Sequence, residues 1–156
     1  MDKPKVFVRL IDLNQLTNIV LGQIQRSGEN FTHIVGVSRG GLVPAVKMSH
    51  RLGAPLVLTN YSSSKGNGDD KLTGTFKILE PDGAPINASS KVLIVDDICD
   101  SGHTLEELVW HLQELTPHVH TACLHHRLTA IMTPDFIGRV LSEDDGWVIY
   151  PWENQC

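Results

Sequence analysis

The sequence predicts an α/β fold with a mainly parallel central sheet flanked by helices. Three observations predict it. Apolar strand-like runs at about 31–37, 56–59, 91–95 and 119–124 alternate with helix-period segments at about 12–26, 42–52 and 102–115. The run Val92-Leu93-Ile94-Val95 is apolar without alternation, as a strand covered on both faces should be. The strands at 31–37 and 91–95 each end in small or acidic residues that lead into a helical pattern, and such sheets bind ligands at the carboxyl ends of their strands.

Taken in order, Leu13, Leu16, Val20 and Ile24 keep helical spacing, with Asp12 and Gln15 as an expected capping box and Gly28 as the stop. Phe31 to Val37 reads as a buried strand ending in Ser38-Arg39-Gly40-Gly41. A helix over Leu42 to Leu52 ends at Gly53, and Leu56 to Thr59 is a short strand. Residues 61–74 are polar and glycine-rich, a composition expected of a long mobile loop or, equally, of a plain surface hairpin tip. Phe76 to Leu79 is a candidate strand beside it, followed by a turn at Pro81-Asp82-Gly83. Lys91 to Val95 is the clearest strand. The next helix carries Leu105, Leu108, Val109 and Leu112 on one face. Val119 to Leu124 is a strand and Phe136 to Val140 a further candidate.

A chain of 156 residues defaults to one domain. The net charge of −5, from 18 acidic and 13 basic residues, argues against a broad nucleic-acid surface, which is usually basic. Three scattered cysteines with no C-x-x-C argue for a reducing compartment and against a disulfide frame. No apolar run reaches the length of a membrane span, and Met1-Asp2-Lys3-Pro4 leads into no apolar leader region. A cytoplasmic protein with no membrane partner is the expectation.

The chemistry concentrates in Asp96-Asp97-Ile98-Cys99-Asp100-Ser101-Gly102-His103-Thr104. Two carboxylates at a strand end suit the vicinal hydroxyls of a ribose, directly or through a divalent ion that prefers oxygen ligands. The turn Ser101 to Thr104 offers backbone N–H groups and hydroxyls to a phosphate, with a helix start behind it. Plainer readings stand beside these: an Asp that caps the turn, or an ordinary N-cap by Asp100 or Ser101. Ser38-Arg39-Gly40-Gly41 permits a tight, backbone-exposing turn to which Arg39 could add a cation for a pyrophosphate; a routine strand-to-helix turn is the alternative. There is no G-x-G-x-x-G and no P-loop signature.

The segment Val92 to Thr104 resembles the phosphoribosyl-pyrophosphate (PRPP) motif of the type I phosphoribosyltransferases. Ser38 to Pro44 is similar to the pyrophosphate loop of their bacterial and archaeal xanthine-guanine branch. Trp147-Val148-Ile149-Tyr150-Pro151-Trp152-Glu153 is similar to the C-terminal hood of that branch. The resemblance implies the type I phosphoribosyltransferase fold over 1–156, with a flexible lid at about 61–74 and a hood at about 128–156 joined by the N-terminal segment. It implies a Mg²⁺-dependent glycosyltransferase of purine salvage. A purine base would displace pyrophosphate from PRPP to give a nucleoside 5′-monophosphate. Asp96 and Asp97 would hold the ribose hydroxyls and the metal, mainly through water. Asp100 would exchange a proton near purine N7, and Asp100 to Thr104 would cradle the 5′-phosphate. Ser38, Arg39, Gly40 and Gly41 would bind pyrophosphate, and the peptide before the position of Arg39 is often cis in this family. Tyr61 and Ser62 match the start of the lid. A homodimer or homotetramer is also implied.

The base pocket matches less well. The branch has a lysine that reaches the purine 6-oxo group, and Arg127 falls at its place in Leu124-His125-His126-Arg127. A 6-oxopurine (xanthine, guanine or hypoxanthine) remains the expectation, although the guanidinium differs in reach. His125 or His126 could enter the pocket instead, or both could lie in solvent beside a strand end. Trp147 would stack on the base, the Val148 carbonyl would read its 2-position, and Glu153 would stand nearby; simple packing of a C-terminal flap by Trp147 and Trp152 is the alternative. The alternative is a regulator on the same fold that senses PRPP or nucleotides without turnover, because fold alone does not separate the two.

Overall fold

The structure is a computed structural model, and it describes residues 4–64, 73–79 and 85–153. Its elements run β1 (Lys5–Phe7), α1 (Leu10–Ser27), β2 (His33–Ser38), α2 (Leu42–Leu52), β3 (Leu56–Ser64) and β4 (Thr73–Leu79), then β5 (Lys91–Cys99), α3 (His103–Gln113), β6 (His118–Arg127), β7 (Phe136–Leu141) and β8 (Trp147–Ile149). Six strands form one sheet in the order β4-β3-β2-β5-β6-β7. All its pairings are parallel except β3 with β4. The mainly parallel α/β fold expected from the sequence is therefore the one observed.

Strand alternation sends side chains to two cores. Leu93 and Val95 of β5 join Ile34, Ala45 and Met48 beneath α1 and α2. Val92 and Ile94 join Val35, Val37 and the α3 residues Leu105, Leu108 and Leu112 on the other face. This two-sided cover is why β5 shows no polar alternation. Of the helical face expected on α3, Val109 is only partly buried.

Strand order reverses between β2 and β5. From β2 the chain crosses through α2 to β3 on one side, and from β5 through α3 to β6 on the other. The two strands lie in register, from His33 opposite Val92 to Gly36 opposite Val95. The loops that follow them meet at this switch point, where such sheets hold ligands.

A separate two-stranded sheet joins β1 to β8 in parallel, Lys5 opposite Trp147 and Phe7 opposite Ile149. Trp147 N–H donates to the Pro4 carbonyl at 2.7 Å, and Val8 N–H to the Ile149 carbonyl at 2.9 Å. Gly146 is required here, since a Cβ at that position would lie 1.9 Å from the Pro4 oxygen.

Three expectations need correction. Helix α1 begins two residues earlier than expected, and its capping box is Arg9 with Asp12: Arg9 N–H donates to Asp12 at 3.0 Å, and the guanidinium returns to the same carboxylate. Asp12 serves as the third helical residue, not as the cap with Gln15. The segment expected as a loop at 61–74 is strand at both its described ends, because Tyr61 to Ser64 continue β3 and pair with Thr73 to Phe76. Tyr61 and Ser62 thus sit on a strand opposite Phe76 and Thr75, and 65–72 lie outside the described residues. The turn at 81–83 also lies outside them. Finally, β5 runs to Cys99 and β6 to Arg127, so the acid pair and the histidine pair lie within strands and not beyond them.

Candidate active site

Two buried carboxylates define the centre of the site. Asp96 is 9% exposed and Asp97 is 8%. Burial, with the charge of Asp97 added, holds the Asp96 carboxyl well above the usual carboxylate range, and burial also raises Asp97. Local bonds steady them: Asp97 N–H donates to Asp96 Oδ1 and Ile98 N–H to Asp97 Oδ1, each at 2.8 Å. The turn-capping reading of the pair is thus compatible with a binding role.

The loop after β2 lies directly against this pair. The Ser38–Arg39 peptide is cis. A Cβ on Gly40 would fall 1.9 Å from Asp97 Oδ2, and one on Gly41 would fall 2.5 Å from the Val95 carbonyl. Only residues without side chains allow the loop this close. The Ser38 hydroxyl donates to the Thr59 carbonyl, and Gly41 N–H donates to the Val37 carbonyl at 2.9 Å. Arg39 is exposed.

Beyond Asp100 the chain turns through Gly102, whose φ of 88° lies in the left-handed region. Helix α3 starts there with no side-chain cap. Ser101 Oγ accepts only a long 3.4 Å bond from His103 N–H. Apart from that long bond, no side chain among the described residues caps the first-turn N–H groups of α3, which suits an anion.

The far wall is the segment from Trp147 to Glu153. Asp100, Arg127 and Trp147 line two adjoining cavities of about 70 and 430 Å³. The smaller also touches Ile98, Val148, Tyr150 and Glu153, and the larger Ser101 and Thr129. Trp147 is 55% exposed and so is not a core residue. Trp152 is the packing tryptophan, stacked on Tyr150 at 4.9 Å. Glu153 is held by its own turn, its carboxylate accepting from Tyr150 N–H at 3.2 Å.

Neither histidine lies in solvent. His125 is 4% exposed and His126 is 3%. Tyr150 lines the smaller cavity and donates its hydroxyl to the Asp97 carbonyl at 3.0 Å. His125 Nδ1 lies 2.7 Å from that hydroxyl and so carries the hydrogen it donates. Burial, then the charges of Arg139 and Arg127, lower His125 to about 4. Burial and the neighbouring Asp97 raise the Tyr150 phenol, which stays a donor. This His125–Tyr150–Asp97 chain was invisible to sequence reasoning, because it needs the hood to lie over β5 and β6. Gly146 immediately before Trp147 was the one hint of a tight approach there.

Arg127 stands in the wall between Asp100 and the hood. Its Nε donates to Asp100 Oδ1 at 2.5 Å. Nη1 donates to the Ser142 and Asp145 carbonyls at 3.1 and 3.0 Å, and Nη2 to that of Gly146 at 3.2 Å.

Acidic residues late in β5, a loop with paired glycines and a helix start with no side-chain cap meet at a topological switch point, where sheets of this kind hold ligands. Residues 13–154 match the phosphoribosyl transferase domain family, and the chain belongs to it, as a glycosyltransferase. The xanthine-guanine phosphoribosyltransferase of Cereibacter sphaeroides is 31% identical over 120 residues, covering 77% of this chain and 68% of that protein. That of a Ruegeria species is 29% identical over 124 residues, covering 77% and 67%. The purine phosphoribosyltransferase of Pyrococcus horikoshii superposes with a TM-score of 0.79 at 28% identity, over 100% of this chain and 97% of that one. The Helicobacter pylori xanthine-guanine-hypoxanthine phosphoribosyltransferase shares the fold at a TM-score of 0.74 and 21% identity, over 96% and 94%.

The donor set fits a hard divalent cation. Asp96 and Asp97 supply oxygen ligands only, and their burial makes a nearby positive charge favourable. No cluster of three or more His, Cys, Asp or Glu suited to a metal occurs among the described residues. A cation carried largely by water and substrate oxygens needs no such cluster.

Among the described residues no helix is long and apolar enough to cross a membrane.

Proposed function

We propose that this chain transfers the 5-phosphoribosyl group of PRPP to a 6-oxopurine (xanthine, guanine or hypoxanthine). The products are a nucleoside 5′-monophosphate and pyrophosphate. The observation that carries the proposal is the direct contact between the Gly40 loop and the buried Asp97 carboxylate, beside the uncapped start of α3. That juxtaposition offers one place for pyrophosphate, one for ribose and one for 5′-phosphate. The xanthine-guanine activity of the curated relatives supports the choice of base.

In this mechanism a base nitrogen forms the bond to C1 of the ribose as the C1–oxygen bond to pyrophosphate breaks. Asp96 and Asp97 hold the ribose hydroxyls and the water shell of Mg²⁺. That ion, when bound, neutralises charge on the departing pyrophosphate. Ser101 to Thr104 receive the 5′-phosphate at the positive end of α3. Backbone groups of residues 38–41, with Arg39, take the pyrophosphate. Asp100 exchanges the proton at N7 of the base. Trp147 stacks on the purine while Val148, Glu153 and the Arg127 wall bound it. Tyr61 and Ser62, midway along the β3–β4 ladder, belong to the hairpin that would close the site and exclude water.

The test is nucleotide formation from PRPP and Mg²⁺ with each purine in turn. Turnover with at least one 6-oxopurine is expected, lost on chelation and restored by Mg²⁺. No turnover with any purine sinks the proposal and leaves a sensor of PRPP or nucleotide as the reading.

A further inference from the structure

The guanidinium of Arg127 is committed to the protein. Four of its five N–H groups donate to Asp100 and to three carbonyls of the loop before Trp147. At most one N–H is left for a bound base. A side chain whose chief task is to read the 6-position would keep its donors free. Arg127 instead bridges two parts of the site that arrive from opposite ends of the fold. Asp100 follows β5 and the loop of 142–146 leads into β8.

We infer that Arg127 is a positioning residue that fixes the hood and the Asp100 carboxylate in one register. The geometry explains why arginine stands here. Nε faces a carboxylate while the two Nη groups reach three carbonyls, a spread that the single ammonium of lysine cannot cover. Within the loop Asp145 accepts from Ser142 N–H at 2.6 Å and from its hydroxyl at 2.9 Å, a local turn. Arg127 ties that local turn to the sheet. Trp147, the next residue, is thereby placed over the cavity that Asp100 also lines. The inference deepens the proposed transferase reading, and only its kinetic arm rests on that reading.

Hydrogen exchange and kinetics of Arg127→Met and Arg127→Lys test it together. In unliganded Arg127→Met the Trp147 amide, bonded to the Pro4 carbonyl, should exchange about tenfold faster, because the loop that carries it has lost its ties. Turnover should fall roughly 10²-fold while KM for PRPP stays within about threefold, as expected when a reacting group is misplaced, and any rise in base KM accompanies that fall, because Trp147 moves with the loop. Arg127→Lys, which keeps the charge but not the fork, should follow the methionine variant, and it decides the question if the methionine variant does not fold. Unchanged Trp147 exchange, or a rise in base KM at constant kcat, overturns the inference and returns Arg127 to base reading. If the wild type transfers to no purine, the proposed function fails, and Trp147 exchange alone decides the role of Arg127.

Discussion

Acidification should weaken the fold through His125, and the size of the effect follows from the structure. In the unfolded chain the ring titrates near 6.5, whereas in the fold burial lowers it to about 4. The native ring donates from Nδ1 to Tyr150, and Arg139 and Arg127 discourage a second proton. A depressed native value means that this contribution to stability is intact above the unfolded value and is lost as pH falls through the window from 6.5 towards 4. At about pH 5 the unfolded ring is protonated about thirty to one and the native ring about one to ten, so the loss relative to about pH 7 is about 2 kcal/mol. Asp96 and Asp97 work in the other direction. Their raised native values favour the folded state as pH falls. The measurement must therefore be a difference: urea unfolding of the wild type and of His125→Gln at both pH values. The wild type should lose about 2 kcal/mol more than the variant over that interval. Parallel losses, within about 0.5 kcal/mol, would refute the assignment of a buried, neutral His125.

Three further outcomes follow from named contacts. Asp100→Asn should cut turnover about 10²-fold or more with PRPP affinity within about threefold; equal losses by rapid kinetics and calorimetry would remove its proton-transfer role. Gly40→Ala places a methyl 1.9 Å from Asp97 Oδ2, so PRPP affinity should drop at least about tenfold, and calorimetry showing wild-type binding would contradict the close approach of the loop. Leu108→Ala empties a fully buried position on the core face of α3, at a cost of about 2–5 kcal/mol by chemical denaturation; a loss under about 1 kcal/mol would mean that the core there is not tightly packed.

The parts of the site that depend on neighbouring residues were legible in the sequence. Val92 to Thr104 carries strand, acid pair, turn and helix start within one stretch, and its local chemistry decides its local structure. Ser38 to Gly41 is similar, since paired glycines after a buried strand permit little else. Parts that depend on distant contacts were not legible. The three residues of β1, and equally of β8, are too short to show a period, and each is a strand only because the other lies beside it. His125 and His126 read as ordinary polar residues near a strand end, yet both are buried, His125 against Tyr150 of the hood. Arg127 could be placed in the pocket wall from its position in the chain. Its partners could not, because Ser142, Asp145 and Gly146 contribute only carbonyls, which no side-chain pattern announces.

The pairing of β1 with β8 also sets an order of events. The half of the site suited to the sugar phosphate is assembled from β5, its loop and α3, which are contiguous in the chain and close small loops. The half suited to the base requires residues 5–7 to meet residues 147–149, the longest closure the fold contains among its described strands. Long closures carry the larger entropic cost and form late. The acceptor pocket is therefore the part of this molecule that should open first under stress and close last on folding, while the donor cradle persists beneath it.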